Sequence, residues 1–119
     1  MNSVLEETLV KKYPELCIDY QGDMSRTCFA FGFEHGDGWY RLVDEALGKI
    51  QNISSKVGLG VKIAQIKSKF GQLRLYVDFD QGASGATIQQ AISQINEIID
   101  CAEKESCSVC ERSGDKKVK

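Results

Sequence analysis

The sequence has little proline, little histidine and no long apolar run. It contains one Pro, one His and five Cys among 119 residues. An apolar stretch of about 18 residues is missing, which argues against a typical transmembrane helix. The acidic start Met1–Glu7 is unlike the basic, apolar start of a signal peptide. We therefore expect a cytoplasmic protein.

The chain also lacks a large excess of charge of either sign. Its formal net charge is -2, with 27% charged and 42% hydrophobic residues. This balance argues against a strongly cationic nucleic-acid binder and against a heavily acidic DNA mimic. The length suits one domain with its own core. We predict a single domain over residues 1–110 and a mobile basic tail over residues 111–119.

Three helices are predicted from capping signals and apolar periodicity. Ser3 followed by Glu6 is a capping-box pattern, and Pro14 ends this first helix near Tyr13. Asp37, between two Gly, is a candidate N-cap for the second helix. The second and third helices each carry one continuous apolar stripe. The stripes are Trp39, Leu42, Val43, Ala46, Leu47, Ile50 and Ile53, and then Ile88, Ala91, Ile92, Ile95, Ile98, Ile99 and Ala102.

Residues 61–80 have the alternation of a β-hairpin with a turn near Phe70 and Gly71. The favoured register places Leu75 opposite Ile66 and Val77 opposite Ala64, which keeps the apolar residues on one face. Three alternating aromatic residues upstream indicate a further short strand, namely Phe29, Phe31 and Phe33. The predicted fold is α+β, with three helices packed on a small antiparallel sheet.

The polar face of this hairpin is a candidate partner-binding surface, with Lys67, Lys69, Arg74 and Tyr76. Arg and Tyr are frequent anchors of protein interfaces. Basic residues around an aromatic ring also suit nucleic acid. An ordinary solvated strand face is the third interpretation. The low net charge makes nucleic acid the less favoured partner.

A candidate zinc site involves the cysteines near the end of the sequence. Cys107 and Cys110 form a Cys-x-x-Cys pair, and a structural zinc site needs two further ligands. Cys101 and His35, the single histidine, would complete a Cys3His set. The competing interpretation is that the thiols are free and His35 is a loop residue. An odd number of cysteines without a secretion signal argues against a disulfide framework.

Catalytic chemistry has little support in the sequence. A Cys–His nucleophile would have to use His35, and no spacing selects its thiol. We therefore expect a protein that is not an enzyme.

Two motifs resemble a family of small uncharacterised proteins of bacteriophages and prophages. The first is Gly-Asp-Gly-Trp-Tyr at residues 36–40, and the second is Lys-Ser-Lys-Phe-Gly-Gln-Leu-Arg-Leu-Tyr at residues 67–76. The closing pair Cys107-x-x-Cys110 is similar as well. Relatives of this kind tend to have Cys at the position of His35, an exchange that a zinc site tolerates. They often carry a further Cys and His after the pair, which this sequence lacks, so a closed site either uses Cys101, uses a second chain or does not exist.

The resemblance implies a function by binding. Phage accessory proteins of this size commonly bind and block a host protein. The expectation is a protein-binding accessory protein, with inhibition of a bacterial defence system such as CRISPR as one form. The alternative is a zinc-stabilised nucleic-acid-binding module. No membrane partner is expected.

Overall fold

The computed structural model of the chain describes residues 1–20, 32–80, 85–109 and 114. Within these ranges lie three helices and three strands, which confirms the predicted α+β class. In chain order they are α1 (Ser3–Lys12), β1 (Phe33–Glu34), a 3-10 turn (Asp37–Trp39) continuous with α2 (Tyr40–Val57), β2 (Val61–Lys69), β3 (Gln72–Phe79) and α3 (Ala86–Ser106).

The sheet has the strand order β1-β2-β3 and is mixed. β2 and β3 pair antiparallel, as the hairpin prediction requires, but β1 runs parallel to β2 and pairs Phe33 with Ile66. The expectation of an antiparallel sheet was therefore wrong for the third strand. The connection explains the direction, because α2 lies between β1 and β2 and makes a β-α-β crossover. Phe29 and Phe31, also predicted in this strand, lie outside the described residues.

A bulge in β2 changes the predicted register of the hairpin. Ile66 lies opposite Leu75, as predicted, but Val77 lies opposite Ile63 instead of Ala64. β2 carries one extra residue at Ala64, and such a bulge moves every earlier side chain to the other face of the sheet. Ile63 consequently faces the core, where it is fully buried.

One continuous core joins the helices and the inner face of the sheet. The predicted stripes of α2 and α3 supply much of it, and α3 packs against β3. The largest fully buried side chains come from every part of the described chain except β1. They are Trp39, Leu9, Leu16, Leu47, Ile50, Ile63, Ile66, Leu73 and Ile95.

A polar network fastens the end of α1 to α2. Tyr13 donates its hydroxyl to Asp44 Oδ1 at 2.6 Å, and Lys12 Nζ lies 2.9 Å from the same oxygen. Burial, followed by the hydrogen bond to Asp44, raises the pKa of Tyr13 to about 12. Burial alone would raise the pKa of Asp44, but the hydrogen bonds from Tyr13 and Lys12 outweigh it and hold that pKa below its usual value.

The helix starts differ from the predicted capping residues. Asn2 caps α1, since its side-chain oxygen accepts a hydrogen bond from Val4 N at 2.7 Å, so the prediction of Ser3 as the cap was wrong. Asp37 is not an N-cap either, because the 3-10 turn begins at Asp37 after its N-cap Gly36, and the N-cap of α2 is Trp39. The carboxylate of Asp37 instead accepts from Asn2 N at 2.6 Å, which ties the start of α1 to the turn before α2.

The predicted domain boundary falls near the end of the described residues. The predicted tail, residues 111–119, lies outside them apart from Gly114. Gly114 itself packs closely against the backbone of Gly38. Of the helices within the described ranges, none combines the length and the apolar character needed to cross a membrane.

Candidate functional site

The outer face of the sheet, opposite the core, carries all four residues predicted to bind a partner. Lys67 on β2 pairs directly with Arg74 on β3, and β1 places Glu34 beside Lys67 on the other side. Opposed strand residues project to the same face. The three strands therefore present a row of one carboxylate and two cations across the sheet.

Lys69 and Tyr76 extend this row along the hairpin. Lys69 pairs with Gln72 towards the turn, and Tyr76 pairs with Gln65 towards the other end. Tyr76 is 48% exposed, an unusual value for a large aromatic side chain in the middle of a strand. We call Lys67, Lys69, Arg74 and Tyr76 the outer-face cluster. Its location on one face agrees with the prediction, and its role in binding stays a prediction.

The turn of the hairpin adds a residue that the sequence analysis did not assign to the site. Phe70 and Gly71 form a two-residue turn in which both residues have positive φ, 53° and 77°. Such turns favour Asn or Asp before Gly, because a bulky L-residue is strained in the left-handed region. Phe70 is also 97% exposed, and Lys69 Nζ lies 6.0 Å from its ring centroid. A phenylalanine before glycine in so short a turn was the available sequence signal.

The free edge of β3 is covered by the end of α3. Ser106 Oγ accepts a hydrogen bond from Leu73 N at 2.8 Å, and Glu103 Oε2 accepts from Leu75 N at 3.0 Å. Ser106 is completely buried. An unpaired strand edge is a template for an added strand. Ser106 and Glu103 accept the hydrogen bonds of two backbone N–H groups that an added strand would otherwise pair with.

The free edge of β1 is covered by the start of α1. Glu6 Oε1 accepts from Phe33 N at 2.8 Å, and the amino group of Met1 donates to Phe33 O at 2.8 Å. Glu6 lies in the first turn of α1, and Met1 lies just before the helix. With both edges engaged in this way, the outer face is the part of the sheet best placed to meet a partner.

His35, the predicted histidine ligand, is buried between aromatic rings. It is 6% exposed, and its ring centroid lies 6.0 Å from that of Phe33 and 5.7 Å from that of Trp39. His35 Nδ1 lies 2.9 Å from Gly36 O. A carbonyl oxygen can only accept, so this contact requires a proton on Nδ1. This arrangement is typical of histidines that bind a metal through Nε2.

The predicted cysteine ligands are distributed differently. Cys101 and Cys107 are exposed thiols on α3 and at its end. Cys110 lies outside the described residues. Within the described ranges, no three His, Cys, Asp or Glu side chains are grouped so that they could hold one ion. The four-residue set, which includes Cys110, stays a prediction.

One contact nevertheless brings the cysteine-containing segment close to His35. Trp39 Nε1 donates to Val109 O at 3.0 Å, and Trp39 is the residue whose ring packs beside His35. The approach of Gly114 to Gly38 makes a second contact between the same two segments. The chain on both sides of Cys110 is therefore anchored at the turn that carries His35.

Comparisons with protein-family models, with characterised proteins and with solved structures found no match to this chain.

Proposed function

We propose that this chain is a small protein-binding module that engages an acidic surface of its partner through the outer-face cluster. The observation that carries the proposal is the direct pairing of Lys67 with Arg74 on a sheet face that also exposes Tyr76. Arg and Tyr contribute strongly to protein interfaces, because both combine a large contact area with polar groups.

The charge of the cluster supports an acidic partner. Lys67, Lys69 and Arg74 supply three positive charges near the turn, where Glu34 is the neighbouring carboxylate, and Asp78 lies opposite Lys62 at the other end of this face. Lys62, elsewhere on β2, differs because it is paired with Asp19 at 2.8 Å. Complementary charge mainly accelerates association and selects the partner. We therefore expect binding that weakens as the salt concentration rises.

The resemblance to phage proteins supplies the expected class of partner. A bacterial host protein is the proposed target, and a component of a defence system such as CRISPR is the form of target that the resemblance favours. In this proposal the chain acts by occupying a surface of the target, without catalysis.

Charge reversal on the sheet tests the proposal. The variant Lys67→Glu/Arg74→Glu should lose a partner that the unchanged chain captures from a bacterial lysate. The matched control, Lys11→Glu/Lys56→Glu, makes the same change in net charge at exposed positions on α1 and α2. It should retain the partner. Quantitative mass spectrometry of the captured proteins gives the comparison, and thermal unfolding verifies that both variants fold.

A photo-reactive residue adds a direct readout. Placed at Tyr76, it should cross-link the captured protein, whereas the same residue at Ile18, which is 69% exposed outside the cluster, should not. Equal capture by the charge-reversal variant and its control would refute the assignment of this face.

The second candidate is a zinc-stabilised nucleic-acid-binding module. It is favoured by the hydrogen bond from Trp39 to Val109 O, which anchors the residue next to Cys110 at the turn of His35. His35, Cys107 and Cys110, with Cys101 or a group from a second chain, would hold the ion, and a bound zinc would cross-link the two segments.

Two measurements test this alternative. Native mass spectrometry should find one zinc per chain that is lost on adding a chelator, and His35→Ala should lower the zinc content. A gel-shift assay with labelled RNA and DNA should give binding that falls steeply with salt. A metal-free chain that binds neither nucleic acid at low salt would exclude it.

A further inference from the structure

A groove between α2 and α3 is lined with apolar side chains from both helices. It has a volume of about 440 Å³. Its apolar lining comes from both helices and comprises Leu42, Ala46, Ile53, Ile98 and Ala102. Apolar grooves of this kind between paired helices are common sites of recognition.

The rim of this groove is acidic. Glu45 on α2 and Glu97 and Glu105 on α3 are exposed along it, and Lys49 is the one cation among the lining residues. An occupant should therefore combine an apolar group for the floor with positive charge for the rim.

The tip of the β2–β3 hairpin has this combination. Phe70 is almost fully exposed, and it stands in a turn conformation that is unfavourable for its side chain. Lys69 lies next to it, with Lys67 on the same strand. A large exposed aromatic residue on a strained backbone, at a position where Asn would be favoured, indicates a role in contact with another surface.

We propose that the hairpin tip of one chain docks into the α2–α3 groove of a second copy of this chain. Phe70 would contact the apolar floor, while Lys69 and Lys67 would face the carboxylates of Glu45 and Glu97. The inference goes beyond the proposed function, although the hairpin tip shares Lys67 and Lys69 with the outer-face cluster. A chain shown to be monomeric would overturn the inference without contradicting the outer-face proposal.

The geometry of this contact sets its consequences. The tip and the groove are different surfaces of one chain, so the contact is heterologous, and a docked pair still offers one free tip and one free groove. Association can therefore continue beyond two chains. A hairpin tip in a groove makes a small interface, so the association should be weak, with dissociation constants between micromolar and millimolar.

Sedimentation velocity of the full chain under reducing conditions is the test. The average mass of the unchanged chain should rise with concentration between micromolar and millimolar. Phe70→Asn, which suits the turn, should weaken association about tenfold or more, since it removes the buried phenyl ring. Glu45→Lys/Glu97→Lys should weaken it by a similar factor by reversing the rim charge.

Matched controls alter similar groups at exposed positions away from the contact. Ile18→Asn removes another exposed apolar side chain, and Glu7→Lys/Glu15→Lys reverses two exposed carboxylates. Both controls should associate like the unchanged chain. Loss of association in the controls, or its persistence in the tip and groove variants, would contradict the proposal.

A mixing experiment distinguishes this contact from any other self-association. The Phe70→Asn chain keeps an intact groove, and the Glu45→Lys/Glu97→Lys chain keeps an intact tip. Mixed together, the two should form a complex of two chains that grows no further, because the remaining tip and groove are both disabled. A mixture that stays monomeric, or an unchanged chain that is monomeric at every concentration, would overturn the proposal.

Discussion

The two free edges of the sheet are closed by different chemistry. At β3, a buried hydroxyl of α3 accepts the hydrogen bond of Leu73, and the neighbouring Glu103 accepts that of Leu75. At β1, the partly exposed carboxylate of Glu6 and the amino group of Met1 bind the two backbone groups of Phe33. Ser106 is completely buried, whereas Glu6 keeps access to water.

The difference in burial predicts how much the stability of each strand edge depends on the side chain that covers it. A buried donor that loses its acceptor keeps the full penalty of desolvation, whereas a donor near solvent can turn to water. The β3 edge should therefore be the more sensitive one. Both contacts have the same effect, because closing the edges of the sheet disfavours the addition of a further strand.

The largest expected effect is at the β3 edge. Ser106→Ala should lower the free energy of unfolding by about 2 kcal/mol, because Leu73 N then has no acceptor in a buried site. Urea unfolding measures the change. Ser108→Ala is the control, since Ser108 is exposed and its hydroxyl donates to Glu105 O within the same helix end. A loss in the control as large as that in Ser106→Ala would contradict the assignment.

The β1 edge should respond less strongly. Glu6→Ala should cost about 1 kcal/mol by removing the acceptor of Phe33 N, and the neighbouring exposed Glu7→Ala should have little effect. The double variant Glu6→Ala/Ser106→Ala should equal the sum of the two single losses within about 0.5 kcal/mol, as expected for independent sites. A strong departure from additivity would indicate that the two edges are coupled.

The attachment of α1 to α2 should weaken in acid, because it depends on the carboxylate of Asp44 on α2. The folded pKa of Asp44 is lowered, so its contribution to stability is present above the unfolded value of about 4 and is lost as the pH falls below it. We expect Asp44→Asn to be less stable by about 1 kcal/mol at neutral pH, with the difference vanishing in acid. Thermal unfolding at a series of pH values measures this, and a difference that persists at low pH would refute it.

The smallest expected effect is a gain in stability at the turn between β2 and β3. Phe70→Asn should raise the free energy of unfolding by about 0.5 kcal/mol in dilute solution, because Asn tolerates the left-handed conformation that Phe70 adopts. Denaturant unfolding of the dilute monomer tests it. A destabilised variant would mean that the Phe70 ring supports the hairpin.

The helices and the hairpin were predictable because their signals are local. The apolar stripes of α2 and α3 have the helical period over several turns, and the stop at Pro14 agrees with the end of α1 at Lys12. The alternation around Arg74 likewise placed the outer-face cluster on one side. The bulge also has a signal in the sequence. The spacing of the apolar residues Val61, Ile63 and Ile66 changes from two positions to three, and all three side chains are buried.

The direction of β1 and the caps of both edges were not predictable. Phe33 and Glu34 form a strand only because Ile66 and Lys67 lie beside them, and those partners are more than thirty positions away in the chain. In the same way, nothing local distinguishes Ser106, which caps a strand, from Ser108, which does not. The expected cap at Ser3 failed for a smaller reason, since the preceding Asn2 is an equally good cap.

Local patterns were enough to predict the class of the fold, the three helices, the hairpin and the cationic side of that hairpin, because periodicity and turn chemistry act over neighbouring residues. The parallel direction of β1, the contacts of Glu6 and Ser106 with the sheet edges and the acidic groove between α2 and α3 emerge only in the folded chain. Those features depend on groups that meet only when distant segments pack together, and a one-dimensional pattern does not encode which groups will meet.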